Sequence, residues 1–480
     1  MTDTTNTLAD RGFPASPTRS LGLKLMVILF LIVLMAVPVI FISVISFERS
    51  SRADEVTREV SQTYGGAQTL LGPVIVVPYQ QQLSRGRLQE GDYVISAKTG
   101  EAVFDNVTVE EKARSLYRVP VYSADGVMRA RFDRLADSLP QQDGLVFDVD
   151  AAKLVVGLSD VTGLQSDVTL STGGRTLTFE PYRASAVNFA GRDAQIEYAA
   201  EPTRDASLPD VITDPIFARG LTLLSVPLSD VSPGDVEARL SLTGAPSLAV
   251  QPYARSTRVR IASDWPHPGF EGRFPPSERE ISEDGFSAAW AVPFLRRGIP
   301  AAGKARDMNM LFGLEAGMRV NFVTPLDPYQ TVNRALKYAV MFIGLVFLAY
   351  FLMETLLGVR VHPAQYLLIG LAQAVFYLLL LAFAEQIGFT PAFLLSASAT
   401  VALTALYAGA VFGRSLVWKS ALVFGTVYGL LFVLMRIQDF ALMVGALVCF
   451  IAIAATLYLT RNLDWYGGRT SLATGDNSPV

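Results

Sequence analysis

Histidine is the side chain most often used to move protons near neutral pH, and this chain has two, His267 and His362. His267 lies in Asp264-Trp265-Pro266-His267-Pro268-Gly269-Phe270-Glu271-Gly272, with an acid on either side of it. Asp264 or Glu271 would there orient the imidazole for general-base work. Pro266 and Pro268 argue instead for a rigid extended turn in which Trp265 and Phe270 pack and the histidine only hydrogen-bonds. With no nucleophile in view, the turn is the better reading.

Other catalytic patterns are missing. There is no GxSxG elbow, Walker lysine motif or dinucleotide fingerprint, and Gly65-Gly66 and Gly173-Gly174 are isolated pairs that read as turns. Cys449 is the single cysteine and sits in an apolar run, which excludes an intrachain disulfide and any multi-cysteine metal site. Two histidines without HExxH spacing exclude that class of zinc site. No catalytic residue, metal or cofactor is expected.

Ionisable groups within hydrocarbon are the remaining candidates, because burying them is costly. Glu354 is the first to weigh. It falls near the end of an apolar run, close to Arg360 and His362, so snorkelling to the interface is the plain account. The sharper account is a buried contact with Gln373 on the next run. Glu385, Arg436 and Asp439 fall at the opposite ends of their runs and read as interfacial, and no series of carboxylates crosses the bundle.

The elements that must position these groups follow from composition. Of 480 residues 51% are hydrophobic and 18% charged, with mean hydropathy +0.34, whereas soluble domains carry roughly 25% charge. Forty basic and 44 acidic residues give a net charge of −4 with no basic block, which sets nucleic-acid binding aside. Six apolar runs are long enough to span a bilayer: Leu25–Phe47, then Ala339–Leu357, Ala364–Ala384, Ala392–Phe412, Val417–Met435 and Phe440–Leu459. The first exceeds a signal-peptide core, and its one cleavage candidate, at Val44 and Ser46, is weak, so it reads as an uncleaved signal anchor.

One side of the membrane collects Arg11, Arg19, Lys24, Arg360, Arg414, Lys419, Arg461 and Arg469, against little more than Arg436 in the opposite short loops. Arg52, Arg58, Arg334 and Lys337 flank a long segment and count for less. Both termini are therefore expected in the cytoplasm, with Glu48–Asn333 outside it, in the periplasm of a bacterium. The expected plan is a cytoplasmic segment 1–24, an anchor 25–47, an outer domain 48–333, a five-span bundle 334–460 and a cytoplasmic tail 461–480. Tyr338, Tyr366, Trp418, Trp465 and Tyr466 read as interfacial rings. Gly409/Gly413 and Gly425/Gly429 are small-xxx-small pairs that would draw the fourth and fifth spans together. Short links make sequential spans antiparallel neighbours.

The outer segment reads as β-rich, either two subdomains or one elongated sandwich. Val74-Ile75-Val76-Val77 is a strand bounded by Gly72-Pro73 and Pro78. Leu240 and Leu242 alternate before Thr243-Gly244-Ala245-Pro246, and Leu248 and Val250 after it, which predicts a hairpin. Arg258-Val259-Arg260-Ile261 continues the alternation, and Asp284-Gly285 predicts a tight turn. Asp54–Gln62 and a turn or two near Arg131–Leu139 read as helix. There is no fixed-period repeat or heptad series. Gly467–Val480 is small and polar, as a disordered tail would be.

Beyond these local patterns, longer stretches fall in a distinctive order. They are Gly72-Pro73-Val74-Ile75-Val76-Val77-Pro78-Tyr79, Ser263–Phe270, Glu278–Phe286, Asp327-Pro328-Tyr329-Gln330, Arg334–Ala339, His362-Pro363-Ala364-Gln365-Tyr366-Leu367-Leu368 and Leu459–Tyr466. In this order they resemble the CreD family of bacterial inner-membrane proteins, also called the cell envelope integrity or Cet family. The stretch between about Gln81 and Asp235 carries little of the pattern. The resemblance implies a role in envelope integrity under a two-component system, linked to β-lactam response and colicin tolerance. It brings no established catalytic or binding residues.

The leading expectation is a non-enzymatic inner-membrane protein in contact with the lipid bilayer. Its outer domain would meet an envelope component or a membrane-protein partner, in an oligomeric state that the residues leave open. Glu354, Gln373 and the glycine pairs motivate an alternative, a small transporter or lipid-handling protein. A periplasmic hydrolase built on Asp264, Trp265, His267 and Glu271 is the third.

Overall fold

The computed structural model describes residues 21–82, 88–114, 117–182, 211–214, 220–232, 234–313, 317–323, 328–359, 361–437 and 440–461. Arg11, Arg19, Arg360, Asp439, Trp465, Tyr466, Arg469 and the Gly467–Val480 tail lie outside the described residues. The chain forms two compact units, a helical one of Met1–Arg52 with Leu326–Val480 and a β-rich one of Ala53–Pro325. The β-rich unit lies within the 48–333 segment.

The helices are α1 (Leu21–Leu34), α2 (Ala36–Thr63), the single turns α3 (Leu135–Ser138) and α4 (Phe294–Arg297), and α5 (Pro328–Lys337). Then come α6 (Ala339–Leu357), α7 (Pro363–Ile387), α8 (Phe389–Phe412), α9 (Val417–Arg436) and α10 (Ala441–Thr460). Among the described residues six helices are long and apolar enough to cross a membrane, one near the N-terminus and five in the last third. The first, Lys24–Thr63, is interrupted only at Met35. Pro38 explains the interruption, since it has no N–H to give the carbonyl of Leu34 and its ring crowds that carbonyl. Past Phe47 the same helix runs on through the polar Asp54–Gln62 stretch.

Gly358, at φ 67°, ends α6 in the left-handed conformation that a side chain would resist. His362 then caps α7. Its Nδ1 accepts from the Ala364 N–H at 3.2 Å, Gln365 Oε1 accepts from the His362 N–H at 3.2 Å, and Pro363 fills the first helical position. Half of the span in α7 is buried, against 11% in α10, so α7 is the central helix and α10 is peripheral. α7 packs on α1, α5, α6 and α8, and α8 packs on α9.

The strands open with β1 (Gln68–Gln82), β2 (Leu88–Arg114), β3 (Tyr117–Arg131), β4 (Leu145–Phe147), β5 (Lys153–Leu158) and β6 (Thr169–Thr172). Next are β7 (Arg175–Thr178), β8 (Glu180–Pro181), β9 (Val211–Asp214), β10 (Thr222–Pro227), β11 (Asp235–Gly244) and β12 (Ser247–Val250). The last are β13 (Ala254–Ser263), β14 (Pro268–Gly272), β15 (Glu278–Ser282), β16 (Gly285–Val292), β17 (Ala302–Lys304) and β18 (Met318–Phe322).

β1 is central in the first sheet, between β5 and β4 on one edge and β12 and the start of β2 on the other. Being buried on both faces, it reads as an unbroken apolar run. Gly72-Pro73 does not bound it. The pair sits at a register shift inside β1, where a Cβ on Gly72 would meet the Tyr253 ring at 2.5 Å. From Ala97 onward β2 leaves for the second sheet, ordered β15-β16-β13-β2-β3-β11-β6-β7. One apolar core draws Val76 and Leu154 from the first sheet and Phe104, Leu240 and Val259 from the second.

The expected hairpin at Thr243–Pro246 is a crossing. β11 pairs with β3 in the second sheet, whereas β12 pairs with β1 and β18 in the first. Alternation within each strand was there to read; its partner is a non-local choice. Glu283-Asp284 does form a tight turn, joining β15 and β16.

Candidate functional site

The His267 segment is a joint between β13 and β14. Trp265 Nε1 donates to the Val323 carbonyl at 3.1 Å, and the Val323 N–H donates to the His267 carbonyl at 3.2 Å. Phe270 packs edge-on to Phe286 and Trp290, with centroids 5.8 and 5.9 Å away. Asp264 is engaged elsewhere, Oδ1 accepting from the Val109 N–H at 2.9 Å. The His267 ring stands edge-on to Trp265 at 6.3 Å and has no side-chain hydrogen bond among the described residues, nor has the exposed Glu271. The segment therefore brings no acid onto the imidazole.

Glu354 is different. It is 5% exposed, on the last turns of α6, and each carboxylate oxygen is engaged. Oε1 accepts from Lys24 Nζ of α1 and from the Val361 N–H at 2.9 Å, and Oε2 accepts from the Tyr366 hydroxyl of α7 at 2.7 Å. Tyr366 is itself held edge-on to Tyr350 and Phe347. Burying a carboxylate is tolerable under these conditions, paired and fully hydrogen-bonded. Glu354 neither snorkels nor meets Gln373. Tyr366, expected at the interface, is buried as its partner.

A second carboxylate repeats the arrangement at the other end of α7. Glu385 accepts from Tyr329 of α5 at 3.1 Å and pairs with Arg49 of α2 at 3.6 Å. Midway, Gly370 of α7 leaves room for Met35, and a Cβ there would sit 2.6 Å from the Met35 sulfur. The first span is thus fastened to α6 at Lys24 and to α7 at Met35 and Arg49. The expected glycine pairs contribute less. Only Gly409 has a close neighbour, Val417, while Gly413, Gly425 and Gly429 face open space.

Gln373 lies about two turns further along α7 than Tyr366, and its Oε1 accepts from the Tyr428 hydroxyl of α9. Gln373 Nε2 and the Tyr377 hydroxyl have no partner among the described residues, and both residues line a cavity of about 10 Å³, room for one water. Among the described residues no group of three acidic, histidine or cysteine side chains is placed to hold a metal ion.

The exposed face of the second sheet carries a ladder of ion pairs. Arg129 stands directly between Glu101 and Glu237 across three strands, at 3.3 and 2.8 Å, and Arg131 pairs with Asp235 at 2.5 Å. The hydrogen bond from Arg129 holds the Glu237 carboxyl below the usual carboxylate range.

This architecture, a long anchor, a β-rich domain and five further spans, is matched along its length. A family model described as "Inner membrane protein CreD" covers residues 20–466. The chain belongs to the CreD family. The inner membrane protein CreD of Escherichia coli (strain K12) is similar to it, 29% identical over 451 residues, which is 91% of each chain. No solved structure matches. The protein is therefore a multi-pass protein of the inner membrane. Within the described residues, several of the stretches that carry the CreD resemblance are joints: the β13–β14 link, Tyr329 on Glu385, the His362 cap and Tyr366 on Glu354. Sequence reasoning took Lys24 only as an orientation signal. A lone lysine starting one span and a lone glutamate ending an antiparallel one share a membrane depth, and that was the signal for their pairing.

Proposed function

We propose that this CreD-family protein supports the integrity of the cell envelope and its response to envelope stress, β-lactams included, without catalysing a reaction. The outer domain meets an envelope component, and the helical unit holds it in the inner membrane with both termini in the cytoplasm. The observation that carries this reading is the family match across anchor, outer domain and bundle together. The distribution of short-loop lysine and arginine supports the orientation. The engagement of Asp264 by the Val109 N–H supports a scaffolding part for the His267 segment.

The test is the detergent and β-lactam sensitivity of a deletion strain, rescued by the wild-type chain or by His267→Ala at matched membrane abundance. Equal rescue is expected. Rescue by wild type alone would make the Asp264–Gly272 segment a working site and restore the hydrolase reading. A reporter fused at Asp150 is expected outside the cytoplasm, and cytoplasmic activity there would overturn the topology. The polar group of Gln373, Tyr377 and Tyr428 favours a second reading, a small transporter or lipid-handling protein. Loss of function in Gln373→Leu at unchanged abundance and stability would support it.

A further inference from the structure

Single-turn helix α4 presents Leu295 almost fully to solvent, 91% exposed, the most exposed of the large apolar side chains described. Three arginines stack on aromatic rings in and beside the same turn. Arg255 lies over the Phe294 ring at 4.9 Å, and Arg273 and Arg296 both lie over Phe274 at 5.8 Å. Arg273 also reaches the Met310 sulfur at 3.9 Å and lies against Gly298, the residue that ends α4.

None of these three has an ion-pair partner among the described residues, nor have Arg134, Arg175, Arg258 and Arg279, whereas several other arginines of the β-rich unit do. Arg114, Arg118, Arg129, Arg131, Arg239 and Arg260 all meet carboxylates. Stacking engages the face of a guanidinium and leaves its in-plane N–H groups, apart from Arg273 Nη1 on the Met310 sulfur, free for an oxyanion.

The turn also contains a fourth arginine with an unusual position. Arg297 is fully buried, and its only hydrogen bond among the described residues runs from Nη2 to Ser96 Oγ at 2.6 Å; Nε and Nη1 have none. Burial lowers its pKa to about 10. It remains a cation at neutral pH without a carboxylate beside it. The buried cation beneath α4 adds to the three at its rim, none of them in an ion pair among the described residues.

The shape selects the partner. An acidic peptide needs a groove or a strand edge to lie in, and α4 offers a convex tip with one leucine at its summit. A phosphate layer with hydrocarbon behind it matches such a tip, arginine to phosphate and leucine to acyl chain. We propose that α4 is a docking surface for an anionic phospholipid bilayer, with Leu295 entering the acyl region and Arg255, Arg273 and Arg296 binding head-group phosphates. This deepens the reading above, in that it names the chemistry of the envelope component.

The experiment uses the full chain in phosphatidylcholine nanodiscs, mixed with phosphatidylcholine vesicles that do or do not contain phosphatidylglycerol, and measures co-flotation. Capture by the anionic vesicles alone is expected. Each arginine strengthens attachment to an anionic surface about fivefold, so Arg255→Gln/Arg273→Gln/Arg296→Gln should weaken it on the order of a hundredfold. Leu295→Ser should weaken it about tenfold or more. All four side chains are exposed, so melting temperatures should not move.

Equal capture by neutral vesicles, or capture unchanged in either variant, would overturn the proposal. So would loss of capture on adding millimolar inorganic phosphate, which would mark a free-phosphate site, or tighter binding of polyglutamate, which would mark an acidic protein partner. The deletion strain separates the two levels. Rescue by a chain that captures no vesicle overturns the docking surface and leaves the envelope role, whereas capture without rescue does the reverse.

Discussion

Lys24→Met removes one half of the ion pair that fastens α1 to α6. The Glu354 carboxylate is then left 5% exposed, with the Val361 N–H and the Tyr366 hydroxyl as its remaining donors. Removing one partner of a buried pair typically costs about 3–5 kcal/mol, since the other charge stays behind uncompensated. Lys24 is itself 25% exposed, which lets solvent screen part of that charge and brings the expected cost to about 2–3 kcal/mol.

Glu354→Gln should cost less, about 1–2 kcal/mol, because the amide oxygen still accepts from the Val361 N–H, the amide NH2 can donate to the Tyr366 hydroxyl oxygen, and the lysine can turn to water or head groups. The double variant carries no orphaned charge and should lie well below the sum of the singles. The assay is a denaturation midpoint in mild detergent for the four chains, with membrane abundance measured alongside. Additive single effects, with coupling below about 0.5 kcal/mol, would refute the pairing. So would a Glu354→Gln chain of wild-type stability that has lost function, the pattern expected of an ion-handling carboxylate.

Three further outcomes follow from the same geometry. Gly370→Val should destabilise the chain by about 1–3 kcal/mol through the clash with Met35 and Phe347, while Gly425→Ala, facing open space, should change little in the same melts. Tyr428→Phe strips Gln373 Oε1 of its donor and should cost about 0.6–2 kcal/mol, and Gln373→Leu/Tyr428→Phe should recover part of that; no effect in either would dismiss the hydrogen bond. Glu237 has its pKa lowered in the fold, so its contribution is present above the ordinary value of 4.5 and is lost as pH falls through the folded one. Melts between neutral pH and pH about 3 should show a small loss that Glu237→Gln flattens, and an identical pH profile in the variant would count against the ladder.

The spans were legible because lipid imposes a length and a composition that a window of residues reveals without any tertiary information. The β-rich character was legible for a similar reason, since alternation along β11 and β13 is local. Partner choice is not. The Gly244–Pro246 corner has turn chemistry that serves a hairpin or a crossing equally, and Gly72-Pro73 punctuates a strand whether it ends there or bulges. Tyr253 decides the second case from far along the chain, by occupying the space beside Gly72 and Gly100.

At the candidate sites the same division holds. Proline after His362 and glutamine three residues on were signals of a helix start, masked by the rarity of histidine as a cap. Glu354 stood out by the cost of burying a charge, and its partner Lys24 was missed because hydropathy has no memory across three hundred residues.

The fastening of Lys24 to Glu354 also bears on how the protein is made. The two residues are 330 positions apart, so at roughly 5–20 residues per second the ribosome needs on the order of tens of seconds to supply the second after the first. During that interval the opening helix is in the bilayer with Lys24 unmatched, Met35 without its glycine and Arg49 without Glu385. The first span thus has a docking face that stays vacant until the second and third spans arrive, and a membrane insertase or another lipid-facing helix has that long to occupy it. Truncation before α7 would leave Lys24 paired with Glu354 but Met35 without Gly370 and Arg49 without Glu385, so an incomplete chain would hold its first helix at one end only.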